Sequence, residues 1–265
     1  MSLGTIVMTG AAGRVGSALR APLREAADRL ILVDRVPLKA EAPNEEVRQT
    51  KLASIEDAIE LIDGADAVVH LAGVSDEAPF PDLVEGNILG TYDILEAARR
   101  TGVRRVVLAS SNRLTGHYST SERLNPEMPP RPDGLYGVSK VAVEALARLY
   151  VDKFGLDVVC LRIGSFEHEP SEPRHLATWL SPRDLAGFTE AAITVPHPGF
   201  IAAYAVSANT RGFWEISREL GYTPQDDAET YASQIPGAAD YGPSDEPQGG
   251  YFASQEFTID RARLG

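Results

Sequence analysis

Short apolar runs alternate with amphipathic stretches along most of the chain. Thr5-Ile6-Val7-Met8-Thr9 has the pattern of a buried strand, and a helical pattern follows over residues 15–27. Residues 30–33 form a second apolar run. Ser54, with Asp57 three residues on, opens a helix in a capping-box pattern that stops near Gly64. Residues 67–71 predict a third strand, 82–100 a long helix stopped by Gly102, 105–109 a fourth strand, 135–154 a helix stopped by Gly155, and 158–163 a fifth strand. The strand runs are continuously apolar rather than alternating, which is the pattern of strands covered on both faces. Strand and helix alternation of this kind predicts an α/β fold with a doubly wound parallel sheet.

The pattern changes after Gly164. Ser181-Pro182-Arg183-Asp184 predicts another helix start, with Pro at the first helical position and Asp184 closing a capping box. A short strand is expected at 203–206. Residues 221–250, rich in Pro, Gly, Asp, Gln and Tyr, read as long loops with one short helix near 227–233. With no internal repeat and no clear linker, the chain is expected to be a single domain, 1–265. Residues 1–164 form its nucleotide-binding core, and 165–265 form a small C-terminal cap concerned mainly with substrate.

The first strand runs into Thr9-Gly10-Ala11-Ala12-Gly13-Arg14-Val15-Gly16. Glycines at this spacing permit a tight turn and let backbone N–H groups approach a pyrophosphate, with the positive end of the following helix dipole behind them. Lying between a strand and a helix, the loop makes the sheet Rossmann-type and the ligand a dinucleotide. Asp34 follows the second strand and is placed to accept hydrogen bonds from the adenosine ribose. A carboxylate there repels a 2′-phosphate, which favours NAD over NADP, although Arg35 is adjacent.

Tyr136 and Lys140 stand four apart on a predicted helix and so share a face. A cation beside a phenol favours the phenolate. Tyr136 can then take a hydroxyl proton as hydride leaves for the nicotinamide, with Ser111 at the end of the fourth strand bonding the same substrate oxygen. The glycine loop, His70-Leu71-Ala72-Gly73, Ser110-Ser111-Asn112 and Tyr136-Gly137-Val138-Ser139-Lys140 together resemble the motifs of extended short-chain dehydrogenases/reductases, over about the first 165 residues. The resemblance implies a cofactor site of Gly10, Ala12, Gly13, Arg14, Val15, Gly16, Asp34, Leu71, Ala72, Gly73, Asn87, Tyr136, Lys140 and Ile163. It implies catalysis by Tyr136, Lys140 and Ser111.

About one hundred residues follow Gly164, too few for the nucleotide-sugar pocket usual in the larger members. Within the family, Arg162-Ile163-Gly164-Ser165-Phe166-Glu167-His168-Glu169-Pro170 through Arg174 resembles uronate dehydrogenases. So do Ser75, Arg131-Pro132-Asp133-Gly134-Leu135-Tyr136, Thr178-Trp179-Leu180-Ser181 and Gln248-Gly249-Gly250. Those enzymes oxidise the C1 hydroxyl of D-galacturonate and D-glucuronate to the aldarolactone with NAD. The resemblance implies a substrate site of Ser75, Ser111, Asn112, Arg113, Tyr136, Ser165 and Arg174. Arginine suits a carboxylate because it can bind it bidentately. Two positions depart from the pattern. Arg113 stands where His is frequent, and Lys51-Leu52 stands where an Asp-Leu pair adjoins the adenine, leaving Leu52 to line it. An NAD-dependent sugar epimerase or dehydratase on the same core, and a non-catalytic dinucleotide sensor, are the competing readings.

A net charge of -13 argues against a nucleic-acid surface, which needs clustered Lys and Arg. No apolar stretch is long enough to span a membrane, and no leader pattern opens the chain, so a cytoplasmic setting is expected. Cys160, the one cysteine, lies in an apolar run and reads as core. The five histidines show no metal-ligand spacing, and no metal is expected. Trp179 and Trp214 read as packing residues. Tyr251 and Phe252 do too, with closure over the pocket as the alternative. The family resemblance and the long helices flanking the site suggest a homo-oligomer.

Overall fold

The computed structural model describes residues 2–262, with side chains to residue 258. In chain order the core elements are β1 (Thr5–Thr9), α1 (Arg14–Ala26), β2 (Arg29–Asp34), β3 (Glu45–Gln49), α2 (Ile55–Ile62) and β4 (Ala67–His70). Then come α3 (Phe80–Leu83), a π-helical turn (Val84–Leu89), α4 (Gly90–Thr101), β5 (Arg105–Ser111), α5 (Leu135–Phe154) and β6 (Asp157–Ile163). The remainder holds β7 (Ser165–Phe166), α6 (His175–Thr178), β8 (Trp179–Leu180), α7 (Pro182–Thr194), β9 (Phe200–Ala205) and α8 (Gln255–Ala262), with 3-10 turns between the last two.

Seven strands form one sheet in the order β3-β2-β1-β4-β5-β6-β9, and every neighbouring pair is parallel. Along β1, Ile6 and Met8 face one side and Val7 the other. The first side packs against α1 and α7 through Leu19, Leu23, Leu185 and Phe188. The second packs against α2, α4 and α5 through Leu61, Ile94, Leu95, Val143 and Ala147. Burial on both faces is why these strands lack a polar alternation. The strand order reverses between β1 and β4, so their carboxyl ends open the crevice in which such sheets hold a ligand.

Three differences from the pattern-based expectations have physical causes. β3, Glu45-Glu46-Val47-Arg48-Gln49, carries almost no apolar signal because it is an edge strand. Its Glu45 pairs with Arg20 at 2.7 Å and Glu46 with Arg48 at 2.6 Å, and such charges protect an edge from pairing with another chain. The long helix before β5 is interrupted by the π-helical turn that contains Asn87. The Asp184 carboxylate does not close a capping box. Ser181 caps α7 by accepting from Asp184 N at 3.0 Å, but the fully buried carboxylate accepts from Tyr222 Oη (2.8 Å), Gln225 N (2.7 Å) and Asp226 N (3.1 Å). It thereby ties the loop at 222–226 to α7.

After Ser165 the chain both builds a cap and returns to the sheet. β7 and β8 make a separate parallel pair beyond the carboxyl end of β6, whereas α7 and β9 complete the main sheet. The last stretch crosses back to the loop between β5 and α5. Ser119 bridges Pro247 and Leu124 bridges Trp214. Trp214 stacks on Tyr204 at 5.1 Å in a small core of its own.

Asp184→Ala leaves three donors without an acceptor and should cost about 3 kcal/mol or more of unfolding free energy in urea titration. Ser181→Ala, which removes only the cap, should cost about 1 kcal/mol.

Candidate active site

The glycine loop is shaped by close approach. Gly10 has φ +70°, and a Cβ on it would lie 2.6 Å from Ala72 N; a Cβ on Gly16 would lie 2.4 Å from Gly10 O. The loop therefore nests against Leu71-Ala72-Gly73 at the end of β4. Gly13 is the N-cap of α1 and offers no side chain, and the first turn holds no acidic residue. The leading N–H groups of α1 are free for an anion, which fits a pyrophosphate. Asp34 holds the loop from the second strand, its Oδ2 accepting from Ala12 N at 2.8 Å and its Oδ1 from Val36 N at 2.9 Å. A carboxylate has further acceptor positions, so ribose hydroxyls can still reach it. Val15, Leu71, Ala109 and Ile163 line an apolar crevice between α1 and the strand ends. Leu52 packs against the core at the edge of β3, and neighbouring Lys51 reaches Glu85 at 3.0 Å on the surface. Arg14 is also exposed and pairs with Glu167 at 2.7 Å.

The predicted catalytic group is assembled. Tyr136 and Lys140 lie on the buried face of α5, and Ser111 ends β5 close enough to the Tyr136 phenol to pull its proton affinity down. Lys140 Nζ donates to Ala109 O at 2.8 Å and stands 5.6 Å from the Tyr136 ring centroid. Burial lowers the Lys140 ammonium to about 8. Burial also pushes the Tyr136 phenol up to about 12, against the opposing pull of Ser111 and Arg113. In the protein alone, desolvation thus outweighs the depression expected from a neighbouring lysine. Behind them His70 donates or accepts at Thr9 Oγ1 over 2.8 Å. Burial, with the Lys140 charge, holds His70 neutral, down at about 3. Among the described residues no group of His, Cys, Asp and Glu has the arrangement of a metal site.

Asn87 spends its amide on protein. Its Oδ1 accepts from Val74 N (2.7 Å), and Nδ2 donates to Val74 O (3.1 Å) and Ser139 Oγ (2.9 Å). Ser139 in turn donates to Tyr136 O at 2.7 Å. The π-helical turn thus braces the Gly73 loop against the first turn of α5.

Sequence reasoning missed Glu77. Its buried carboxylate accepts from Leu135 N at 2.7 Å and Tyr136 N at 3.1 Å, capping α5 from a distant loop. Gly134, the N-cap, makes room for it, since a Cβ there would lie 2.4 Å from Glu77 Oε2. A glycine N-cap with no capping side chain is the only signal in the sequence, and it does not say where the partner comes from.

Arg113 is buried in the 3-10 turn after β5 and is engaged on every side. It donates to Asp133 (2.6 Å), Asp76 (3.3 Å) and Glu77 (3.5 Å), and its Cζ lies 5.5 Å from the Tyr136 ring and 4.4 Å from that of Phe252. Asn112 is buried beside it, while Ser75 is exposed at the mouth.

Arg174 is differently placed. Its Nε donates to Gln248 O at 2.8 Å and Nη1 to Ser165 Oγ at 3.1 Å; among the described residues no acidic side chain forms an ion pair with it. It is half-buried, yet enough protein surrounds the guanidinium that desolvation lowers its pKa. Ser165 is held by Thr178 at 2.8 Å. Gln248 is a buried clasp, taking Trp214 Nε1 at 2.9 Å and donating to Ser119 O (2.9 Å) and Glu122 O (3.0 Å). The Gln248-Gly249-Gly250 motif thus orients Arg174. Phe252 lies against both arginines, 5.6 Å from Arg174 Cζ, and packs edge-on to Phe257. Tyr251 is exposed.

A Rossmann-type sheet with a Tyr-Lys-Ser group at the strand ends defines the dehydrogenase/reductase class. The model of the NAD dependent epimerase/dehydratase family matches residues 6–195, and the chain belongs to that family. A uronate dehydrogenase of Agrobacterium fabrum is 42% identical over 232 residues, 87% of this chain and 88% of that one. One from Pseudomonas syringae pv. tomato is 39% identical over 255 residues, 94% of this chain and 93% of its own. A crystal structure of uronate dehydrogenase from Agrobacterium tumefaciens, a mutant complexed with NAD, matches with a TM-score of 0.88 at 40% identity, covering 96% of this chain and 98% of that one.

A lysine held at about 8 costs on the order of 3 kcal/mol where it is charged in both folded and unfolded chains. The cost is full below about 8 and disappears as pH rises to its ordinary value near 10.5, because the unfolded chain then loses the proton too. Lys140→Met should therefore raise the melting temperature at neutral pH, with the gain shrinking toward pH ~10.5, while abolishing turnover. Thermal scans across pH with a parallel activity assay check both.

Proposed function

We propose that this enzyme oxidises the C1 hydroxyl of a hexuronate, D-galacturonate or D-glucuronate, to the aldarolactone. The carrying observation is Arg174, a desolvated guanidinium that donates to Ser165 and, among the described residues, forms no ion pair. A desolvated cation that no carboxylate touches directly is stabilised by a ligand that supplies one, and a uronate carboxylate fits the planar donor pair. The identity to uronate dehydrogenases over nearly the whole chain supports the same substrate class.

The loop of Gly10, Ala12, Gly13, Arg14, Val15 and Gly16 would hold the pyrophosphate of NAD, and Asp34 the adenosine ribose. Leu52 would lie along the adenine, and Leu71, Ala72, Gly73 and Ile163 would line the path to the nicotinamide, with Asn87 holding that path in place. Bound there, NAD supplies the hydride acceptor. Ser111 and Tyr136 would grip the C1 hydroxyl, and Tyr136 would take its proton. Lys140 would favour the phenolate that the step requires and would help hold the cofactor. Ser75, Ser165 and Asn112 would bind sugar hydroxyls or the carboxylate. Arg113, already surrounded by three carboxylates, has little to offer a fourth. In this arrangement the chain is a single domain whose core supplies the cofactor site and whose residues beyond 164 supply most of the substrate pocket. A cytoplasmic setting, where NAD is plentiful, goes with this reading.

Mixing the protein with NAD and galacturonate should produce NADH absorbance, and replacing NAD by NADP should lower the rate strongly. No net NADH would instead indicate an epimerase or dehydratase cycle. Arg174→Ala should raise KM for the uronate at least about tenfold, in line with loss of a charged contact, and leave NAD affinity unchanged. Unchanged kinetics would remove Arg174 from the site.

The chain is also expected to self-associate. Val138 and Leu149 of α5 are exposed and eleven residues apart, on one helical stripe, and Leu89 and Tyr92 are exposed beside α4. Light scattering on the eluting protein should give a multiple of the 28.5 kDa chain mass, and Leu149→Glu should reduce it.

A further inference from the structure

We infer that Arg113 sets the proton affinity of Tyr136, acting as a positioning residue for the base rather than as a ligand of the substrate carboxylate. The inference rests on Tyr136 being the base in the reading above. Arg113 has no free side. The edges of its guanidinium meet Asp133, Asp76 and Glu77, and its Cζ stands near the rings of Tyr136 (5.5 Å), Phe252 (4.4 Å) and Phe257 (5.2 Å). A substrate carboxylate would have to displace one of these partners inside a site that already holds three acidic groups. Arg174 faces no such competition.

The charges around the phenol come from every element that packs on it. The loop after β4 contributes Asp76, and Glu77 through its bonds to the α5 backbone. The loop before α5 contributes Asp133, and α5 itself Lys140, whose ammonium is drawn to Ala109 O. The end of β5 contributes the Ser111 hydroxyl, and the turn after it Arg113. His70 behind Lys140 is neutral. Arg174 lies on the far side of Asp133 and acts on that carboxylate. Asp76 and Asp133 both oppose the phenolate, and Arg113 is the cation placed between them and the ring. Remove it and Tyr136 is left facing uncompensated carboxylates.

A fluorinated tyrosine, more acidic than tyrosine, installed at position 136 brings the titration into an accessible range, and its fluorine NMR shift against pH reports the phenol without any turnover. In Arg113→Gln the midpoint should rise by about one pH unit or more, as expected for losing a cation at this range, and Arg113→Lys should restore most of it. In parallel, the limb of kcat/KM against pH for galacturonate should move up by a similar amount, with KM at its optimum changing less than about threefold. An unmoved midpoint, or a large rise in KM with an unmoved limb, overturns the inference. Asp133→Asn is the second variant should Arg113→Gln not fold. It removes an opposing charge without changing shape, and the midpoint should fall; a midpoint that stays or rises overturns the inference equally. Failure of the wild-type protein to make NADH from a uronate would sink the substrate reading, while the fluorine titration would still decide the role of Arg113.

Discussion

One buried carboxylate joins the parts of the site. Glu77 leaves the loop after β4 and enters the N-terminus of α5, where the backbone N–H groups of Leu135 and Tyr136 have no other acceptor. A helix start buried without a partner is unstable, and a carboxylate there also meets the positive end of the helix dipole. The same group receives Arg113 from the turn after β5. The β4 loop, the β5 turn and the first turn of α5 are therefore fixed relative to one another by a single side chain. Asn87 and Ser139 make a second tie between the same loop and helix. Tyr136 sits where these ties meet.

The fold was largely legible because its signals are local. Continuous apolar runs marked β1, β2, β4, β5 and β6, and glycine stops marked the ends of α4 and α5 at Gly102 and Gly155, both with left-handed φ. β3 escaped because an edge strand needs charge rather than apolar surface. The π-helical turn escaped because a helix with one extra residue per turn keeps nearly the same periodicity over so short a span. In the site, Tyr136 with Lys140, and the glycine loop, were legible because spacing on one element determines their geometry, while Ser111 was legible from its place at the end of a strand. Glu77 and Asp133, and the way Gln248 serves Arg174, were not. Their partners lie 58, 20 and 74 positions away, and nothing in a local pattern encodes such pairing. Arg113 shows the complementary limit, for its residue type suggests an anion ligand and only its neighbours reveal that its anions are already protein groups.

The site is built from groups that folding alone would avoid. Among the described residues Lys140 and Arg174 are desolvated without an ion pair, His70 Nε2 and Asp133 Oδ2 are buried without a hydrogen bond, and Tyr136 is held far from its charged form. Packing elsewhere sustains this. The two faces of the sheet bury continuous apolar clusters, and surface charge is arranged in exposed pairs that cost little. Groups that folding alone would avoid, gathered beside the strand ends, are the mark of a functional site.

The clasp made by Gln248-Gly249-Gly250 separates two capacities along the chain. The glycine loop, Asp34 and the Tyr-Lys-Ser group are complete by residue 163, whereas the orientation of Arg174 depends on a segment that arrives some eighty residues later and is pinned to Ser119, Glu122 and Trp214. On the role proposed for Arg174, change in that segment would retarget the enzyme toward sugars with a different group at the far end while leaving the Tyr-Lys-Ser group untouched. The tail is in this sense the part of the protein on which natural variation can act to alter what is oxidised without altering how.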